Sequence, residues 1–219
     1  MATHAADIKD GDVPVRDAST VIIVRNPDRA PAILMGQRGR SAAFMPDKVV
    51  FPGGAVDRQD HAVPLVAMPD APCRSRLQQN SAVASRALMS AAIREVFEET
   101  GMIIGRPGAW ADAPADWSGF AARGCRPDAS SLRFFFRAVT PPGRPRRFDA
   151  RFFLTSAAAL QGDIQDFSSA SAELSHLRWV PLEEARALNL AFITRLVLAE
   201  LAQHLPSLEA PEAVPMVRN

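Results

Sequence analysis

Short apolar runs, cut by Pro, Gly, Asn and Asp, dominate this chain. Residues 19–24 are largely apolar and β-branched, and residues 32–35 form a second such run. Both read as strands, and Asn26, Pro27 and Asp28 between them predict a hairpin. A third strand over 48–51 stops at Pro52, Gly53 and Gly54. Residues 61–80 are rich in Pro, Asp and Ala without a sustained period, which marks an excursion from the main fold. Asn80 or Ser81 then caps a helix running to Thr100, closed by Gly101. A weaker helix is expected over 117–123.

Residues 131–139 and 150–155 are aromatic-rich strand candidates joined by a basic loop with three prolines, and 176–180 is one more strand. Pro181, Glu183 and Glu184 open a short helix. Over 192–205, Phe192, Leu196, Leu198, Leu201 and Leu205 fall broadly on one side, predicting a last packed helix. From Pro206 onward three prolines predict a flexible tail. Strands and helices mix without strict alternation, so the expected fold is α+β, an α/β/α sandwich around a mixed central sheet. One domain is expected over 1–205, with 61–80 inserted and 206–219 loose.

With 219 residues, 47% of them hydrophobic, the chain can bury one full core. A formal net charge of +1 gives no long-range pull toward nucleic acid or anionic lipid, so a small molecule is the expected partner. Nowhere do 18 apolar residues follow one another, and no basic start precedes an apolar stretch. No membrane partner and a soluble, cytoplasmic protein are therefore expected. Cys73 and Cys125 lie in no CxxC pair and read as ordinary thiols of a reducing compartment. His4, His61, His176 and His204 form no spacing that points to chemistry. Neither GxGxxG nor GxxxxGK[ST] occurs, which removes the main support for a dinucleotide fold or a P-loop.

The chemistry concentrates on one turn of the long helix. At about 100° per residue, Glu95, Glu98 and Glu99 share an arc of ~100°, while Met89, Ile93, Val96 and Phe97 cluster on the other side. Neighbouring carboxylates repel by a few tenths of a kcal/mol each. Arg94 can offset Glu98 at i and i+4; the remaining charge calls for a cation. With hard oxygen ligands and no His or Cys in the group, Mg²⁺ or Mn²⁺ is favoured over Zn²⁺. An acidic arc alone is more often a solvated face, so its neighbours in sequence decide its meaning.

Gly54-x5-Asp60 followed by Arg94-Glu95-Val96-Phe97-Glu98-Glu99-Thr100-Gly101-Met102 resembles the signature of the Nudix hydrolases, G-x5-E-x7-R-E-U-x-E-E-x-G-U, where U is aliphatic. The second half matches at every fixed position. Asp60 stands where the family has Glu, and residues 61–93 separate it from Arg94 where the family has seven. That interruption, with Phe44-Met45-Pro46, Val50-Phe51-Pro52-Gly53-Gly54, Asp57 and Arg147-Phe148-Asp149 before Phe152-Phe153, resembles the interrupted-box branch that includes the peroxisomal coenzyme A diphosphatase. The similarity covers most of 38–154. The end, MVRN, is not a peroxisomal tripeptide.

The resemblance implies a Nudix fold and a metal-dependent diphosphate hydrolase. It implies Glu95, Glu98, Glu99 and the Gly54 carbonyl as metal ligands, with Asp60 either in the metal shell or in a surface loop. Arg94 would hold a glutamate in place. Glu98 or Glu95 would take the water proton, with Glu173 as the candidate outside the box. Arg38 and Arg147 are the substrate-phosphate candidates, with Arg40, Arg144 and Arg146 as neighbours. Asp57 would tie the turn after Gly54. Substrates open to such an enzyme are coenzyme A or its acyl esters, favoured by branch, and otherwise ADP-ribose, dinucleotides or nucleotide sugars. A nucleotide-sensing module without catalysis is the rival, although such modules commonly lose a box glutamate. An RNA cap hydrolase lacks support because no basic face interleaved with aromatics is present. The inserted segment could serve as a lid or a homodimer contact.

Overall fold

The computed structural model describes residues 13–40, 42 and 44–218. The N-terminal segment, His4 and Asn219 lie outside them. In chain order the strands and helices are β1 (Val15–Arg25), β2 (Ala32–Arg38), β3 (Val49–Val50), β4 (Gly53–Ala55), α1 (Ala71–Gln78), α2 (Ser85–Thr100), β5 (Ile103–Pro107), α3 (Ser118–Ala122) and β6 (Cys125–Pro127). There follow β7 (Arg133–Val139), β8 (Arg147–Ser156), β9 (Leu160–Gln161), β10 (Leu174–Pro181), α4 (Leu182–Ala185), α5 (Phe192–His204) and β11 (Met216–Arg218).

The main sheet runs β10-β2-β1-β8-β7-β11 and is mixed: β1 with β8 and β7 with β11 are parallel, the other pairs antiparallel. A three-stranded sheet, β6-β5-β9, sits beside it. The expected α+β class with a mixed central sheet is what the chain adopts. The β1–β2 hairpin pairs only near its turn, at Val24 with Ile33 and Arg25 with Ala32. Beyond that the two strands part. The chain of β3 and β4 fills the fork, first antiparallel to β2 at Gly36 and Gln37, then antiparallel to β1 at Ala18, Ser19 and Thr20. Pro52 lies at the crossing, where Val21 donates its N–H to the Pro52 carbonyl; proline has no N–H to lose at such a switch.

Alternation along β1 sends Val21 and Ile23 into one core and Ile22 and Val24 into the other. A strand buried on both faces reads as a continuous apolar run, as residues 21–24 do. The first core packs under α2 with Leu88, Met89, Ala92, Ile93 and Val96, and the second under α5 with Val197, Leu198 and Leu201. Small residues on α2 let the helix lie close to the sheet: the buried Ser19 hydroxyl donates to the Leu88 carbonyl at 2.6 Å.

Several expectations are corrected. Helix α2 starts at Ser85, four residues after Ser81, with Ala84 as its extended N-cap. Asn80 takes a left-handed φ of 51°, and the Gln78 side chain accepts from Ser85 N–H at 3.1 Å, so the first turn is capped from the preceding helix. The 61–80 segment holds α1, capped by Asp70 accepting from Cys73 N–H at 2.9 Å. With only Cys73 and Leu77 buried, one i, i+4 pair, α1 leaves almost no period. Over 192–205, Leu198 and Leu201 of the expected stripe are buried and Leu196 and Leu205 pack partly buried, whereas Phe192 is 68% exposed and Thr194 and Val197 complete the buried face. The described residues beyond Pro206, expected as a loose tail, make contacts with the rest of the fold. β11 pairs β7, Arg76 donates to the Pro211 carbonyl at 2.7 Å, and Arg133 meets Glu209 at 3.0 Å. Among the described residues, no helix is long and apolar enough to cross a membrane.

Candidate active site

β4 and the C-terminal half of α2 meet at the fork. A side-chain carbon at Gly54 would lie 2.5 Å from the Glu95 carboxyl carbon and 2.6 Å from its Oε2. Only glycine leaves room for the carboxylate there. At Gly53, φ is +154° and a side-chain carbon would come within 2.6 Å of Thr20 Cα, so both glycines answer a spatial demand. The Gly53 N–H donates to Glu99 Oε2 at 2.8 Å.

Arg94, 4% exposed, is the hub. Its Nε and Nη2 donate to Asp60 Oδ1 and Oδ2, each at 3.0 Å. Its Nη1 donates to Glu95 Oε1 at 2.8 Å and to Glu98 Oε2 at 3.1 Å, and Nη2 also reaches the Ala55 carbonyl at 3.0 Å. Asp57 Oδ2 lies 3.7 Å from Nη2. The fully buried Asp60 also accepts from Asp57 N–H at 2.8 Å, which ties the 3-10 turn at Arg58–His61. Both Asp60 oxygens are thus engaged with Arg94, and Asp60 sits behind that guanidinium, not in a surface loop.

One guanidinium faces more carboxylates than it can neutralise. Burial pushes the Glu95 carboxyl up to about 7 despite the lowering by Arg94, with Glu98 and Glu173 adding to the rise. Burial likewise pushes Glu99 up to about 8 against the Gly53 N–H, with Glu95 raising it, Arg38 lowering it and Glu173 raising it further. Glu98 is raised, by burial first. Burial pulls Arg94 down, and its bond to Asp60 with the charges of Glu95, Asp60 and Glu98 more than reverses this. The excess negative charge, in hard oxygen donors, suits a divalent cation. Among the described residues no three His, Cys, Asp or Glu side chains converge as a ligand set in this arrangement: Glu95 and Glu98 are turned toward Arg94, and Glu99 toward Gly53.

Arg38 and Glu173 are brought to the cluster. Leu174, next to Glu173, pairs with Arg38 across β10 and β2; the charge of Arg38 acts on Glu99 and that of Glu173 on all three glutamates. Arg38 Nε is buried without a hydrogen-bond partner. Arg40 is exposed and lies 3.6 Å from Asp47. Arg147 is not brought there. It pairs with Val15, four residues along β1 from Ser19, which pairs with Gly54, and it donates to the Thr140 and Val13 carbonyls. The segment leading to β10 also touches the site, since Ser171 N–H donates to the Glu98 carbonyl at 2.9 Å. No motif marks Ser171, because a backbone contact leaves no trace in residue type.

The architecture has known counterparts. The crystal structure of a NUDIX hydrolase from Alicyclobacillus acidocaldarius superposes with a TM-score of 0.67 over 91% of this chain and 99% of that one, at 27% identity. The fold is the Nudix fold. The MutT protein of Methanosarcina mazei Go1 shares it at a TM-score of 0.51 and 17% identity, over 88% and 96% of the two chains. In sequence, the Caenorhabditis elegans protein named "Putative nudix hydrolase 7" is 29% identical over 182 residues, 77% of this chain and 52% of its own length. The chain thus spans about half the length of that relative. No protein-family model matches. In sequence and in fold, the chain is similar to proteins named as Nudix hydrolases. In the Nudix fold the residues of the interrupted box meet in space, for Gly54, Asp60, Arg94, Glu95, Glu98 and Glu99 form one cluster.

Proposed function

We propose that this chain is a divalent-metal-dependent Nudix pyrophosphohydrolase that cuts the diphosphate bond of nucleoside diphosphate-linked compounds by attack of water on phosphorus. Support comes above all from one observation: Asp60, Glu95 and Glu98 share the buried guanidinium of Arg94, with Glu99 and the charge of Glu173 close by. Glu95, Glu98, Glu99 and the Gly54 carbonyl would hold Mg²⁺ or Mn²⁺, which supplies charge screening of the diphosphate and activation of water. To hold it, Glu95 and Glu98 would exchange bonds with Arg94 for bonds to the cation. Asp60, which binds the Arg94 guanidinium from behind, would act as a positioning residue, not as a ligand.

Glu98 is the first choice for accepting the water proton. It is the most exposed of the three, its side chain 41% accessible against 12% for Glu95. Glu173 is the alternative base. Arg38, with its unpartnered Nε, would meet substrate phosphate. Coenzyme A or an acyl ester is the favoured substrate, on the resemblance of residues 38–154 to the interrupted-box branch; ADP-ribose, dinucleotides and nucleotide sugars remain alternatives. The test is incubation with Mg²⁺ and a panel of these diphosphates, with products weighed by mass spectrometry. Glu98→Gln is expected to keep the fold and lower kcat by two or more orders of magnitude, roughly the range set by losing a metal-binding charge. Near-normal turnover would remove the assignment. Ligand-induced stabilisation without release of a monophosphate would instead indicate a sensing module.

A further inference from the structure

Arg147 and the chain's C-terminal strand meet at a second place. A cavity of about 580 Å³ opens between the start of β1, the β7–β8 turn, β11 and the α1–α2 connection. It is lined by Arg147, Arg151 and Arg218, with Asp17, Asp149 and Thr140 among its other polar groups. Its two acids are already matched, Asp149 by Arg137 from outside the lining and Asp17 by Arg151 within it. Arg137 grips Asp149 through Nε at 2.9 Å and Nη2 at 2.6 Å, and Arg151, 1% exposed, pairs with Asp17 and lies 3.3 Å from Asp149.

Arg147 and Arg218 are left over. Arg147 meets only the Thr140 and Val13 carbonyls, and neither arginine has a carboxylate partner among the described residues. Among the described residues, two guanidiniums without a carboxylate partner therefore face one cavity. Buried Arg151 keeps an Nε with no partner, and Thr140 Oγ1 accepts from Phe148 N–H at 3.1 Å, which leaves the hydroxyl proton free to donate. The charged lining, Arg147, Arg151 and Arg218 against Asp17 and Asp149, carries a net charge of +1, and Arg137 bound to Asp149 adds a further positive charge, in a chain whose net charge is +1. Guanidinium forks match phosphate oxygens in geometry and charge, and a phosphomonoester carries about −1.5 to −2 near neutral pH. The volume suits a nucleotide-sized ligand, since small-molecule sites run roughly 300–1,000 Å³.

We infer that this cavity is a binding site for a phosphomonoester, held by Arg147 and Arg218 and separate from the carboxylate cluster. Val15, level with Arg147, stands four residues along β1 from Ser19, level with Gly54, or about 13 Å of extended chain. The site does not depend on the hydrolase assignment and needs no metal.

Binding is measured by isothermal titration of inorganic phosphate and, separately, of a 5′-nucleoside monophosphate into the full chain. The buffer contains EDTA and is free of sulfate, so that the unscreened carboxylates repel anions and only the basic cavity reports. Saturable 1:1 binding is expected, tighter for the nucleotide if the ligand is an organic phosphate. It should weaken about tenfold in Arg147→Ala and again in Arg218→Ala, each a lost charge-assisted bond, and hold unchanged in Glu98→Gln. Arg218 is exposed at the end of β11, so its variant tests the site even if Arg147→Ala fails to fold. Absence of saturable binding of either probe would overturn the inference. So would an affinity indifferent to both arginines, or one that follows Glu98.

Discussion

At the scale of the residue, the carboxylate cluster is a problem of too many acids for one base, and two outcomes follow from it. Glu95 and Glu99 are raised to about 7 and about 8 from 4.5, chiefly by burial. The folded chain therefore holds more protons than the unfolded chain between about pH 4.5 and pH 8, and stability without metal falls as pH rises through that window. A cation stabilises the charged forms, so the Mg²⁺-induced rise in Tm should be larger at about pH 8.5 than at about pH 6. Thermal melts in EDTA and in Mg²⁺ at both pH values check this; an increment independent of pH would argue against these carboxylates as the cation's seat. Gly54→Ala tests the second outcome. The added carbon would overlap the Glu95 carboxylate, so metal affinity and kcat are expected to drop at least tenfold while the Tm changes by only a few degrees, as a clash relieved by a side-chain rotation would allow. Titration calorimetry with Mn²⁺ would show it.

At the scale of the element, the interrupted box is rejoined by packing. Asp60 and Arg94 are 34 positions apart yet share two hydrogen bonds, both buried. The acid grouping of Glu95, Glu98 and Glu99 was legible from helical spacing, because an α-helix fixes angle by residue number. Asp60 was legible only as an acid of uncertain place, since nothing in 61–93 states how that stretch returns. Its side chain turned out to hold the arginine. Asp60→Asn should therefore destabilise the fold by roughly 3 kcal/mol, the cost of breaking a buried ion pair, and should lower kcat more than it raises KM. Urea melts with steady-state kinetics separate the two effects. An unchanged midpoint would mean that Glu95 and Glu98 suffice to hold Arg94. Helix α1 was missed for a related reason, since two buried positions on a short helix leave no sustained period.

At the scale of the whole molecule, residues 206–218 complete the sheet. β11 adds to the β7 edge, and Pro211, Pro215 and Glu209 carry contacts to Arg76, Arg137 and Arg133. A chain ending at Leu205 should melt a few degrees lower, at about 2–4 °C per kcal/mol lost for this size. Scanning calorimetry on the shortened chain measures it, and an equal Tm would show that the edge strand contributes nothing to stability. Two of the prolines that suggested a loose tail, Pro211 and Pro215, themselves accept the bonds from Arg76 and Arg137, and their fixed φ reduces the entropy lost on ordering.

Local sequence alone determined the strands β1 and β2, the end of α2 at Gly101, the mixed α+β class and the acidic turn at Glu95, Glu98 and Glu99. Each depends on near neighbours in the chain, through periodicity, β-branching or a left-handed glycine. Tertiary structure alone decided that β1 and β2 part to admit β3 and β4, that Gly54 lies against Glu95 and that Asp60 stands behind Arg94. It also decided that Arg38 reaches the carboxylates while Arg147 faces a different cavity. Those facts depend on which distant segments pack together, and burial, charge balance and strand pairing settle that only when the whole chain is folded.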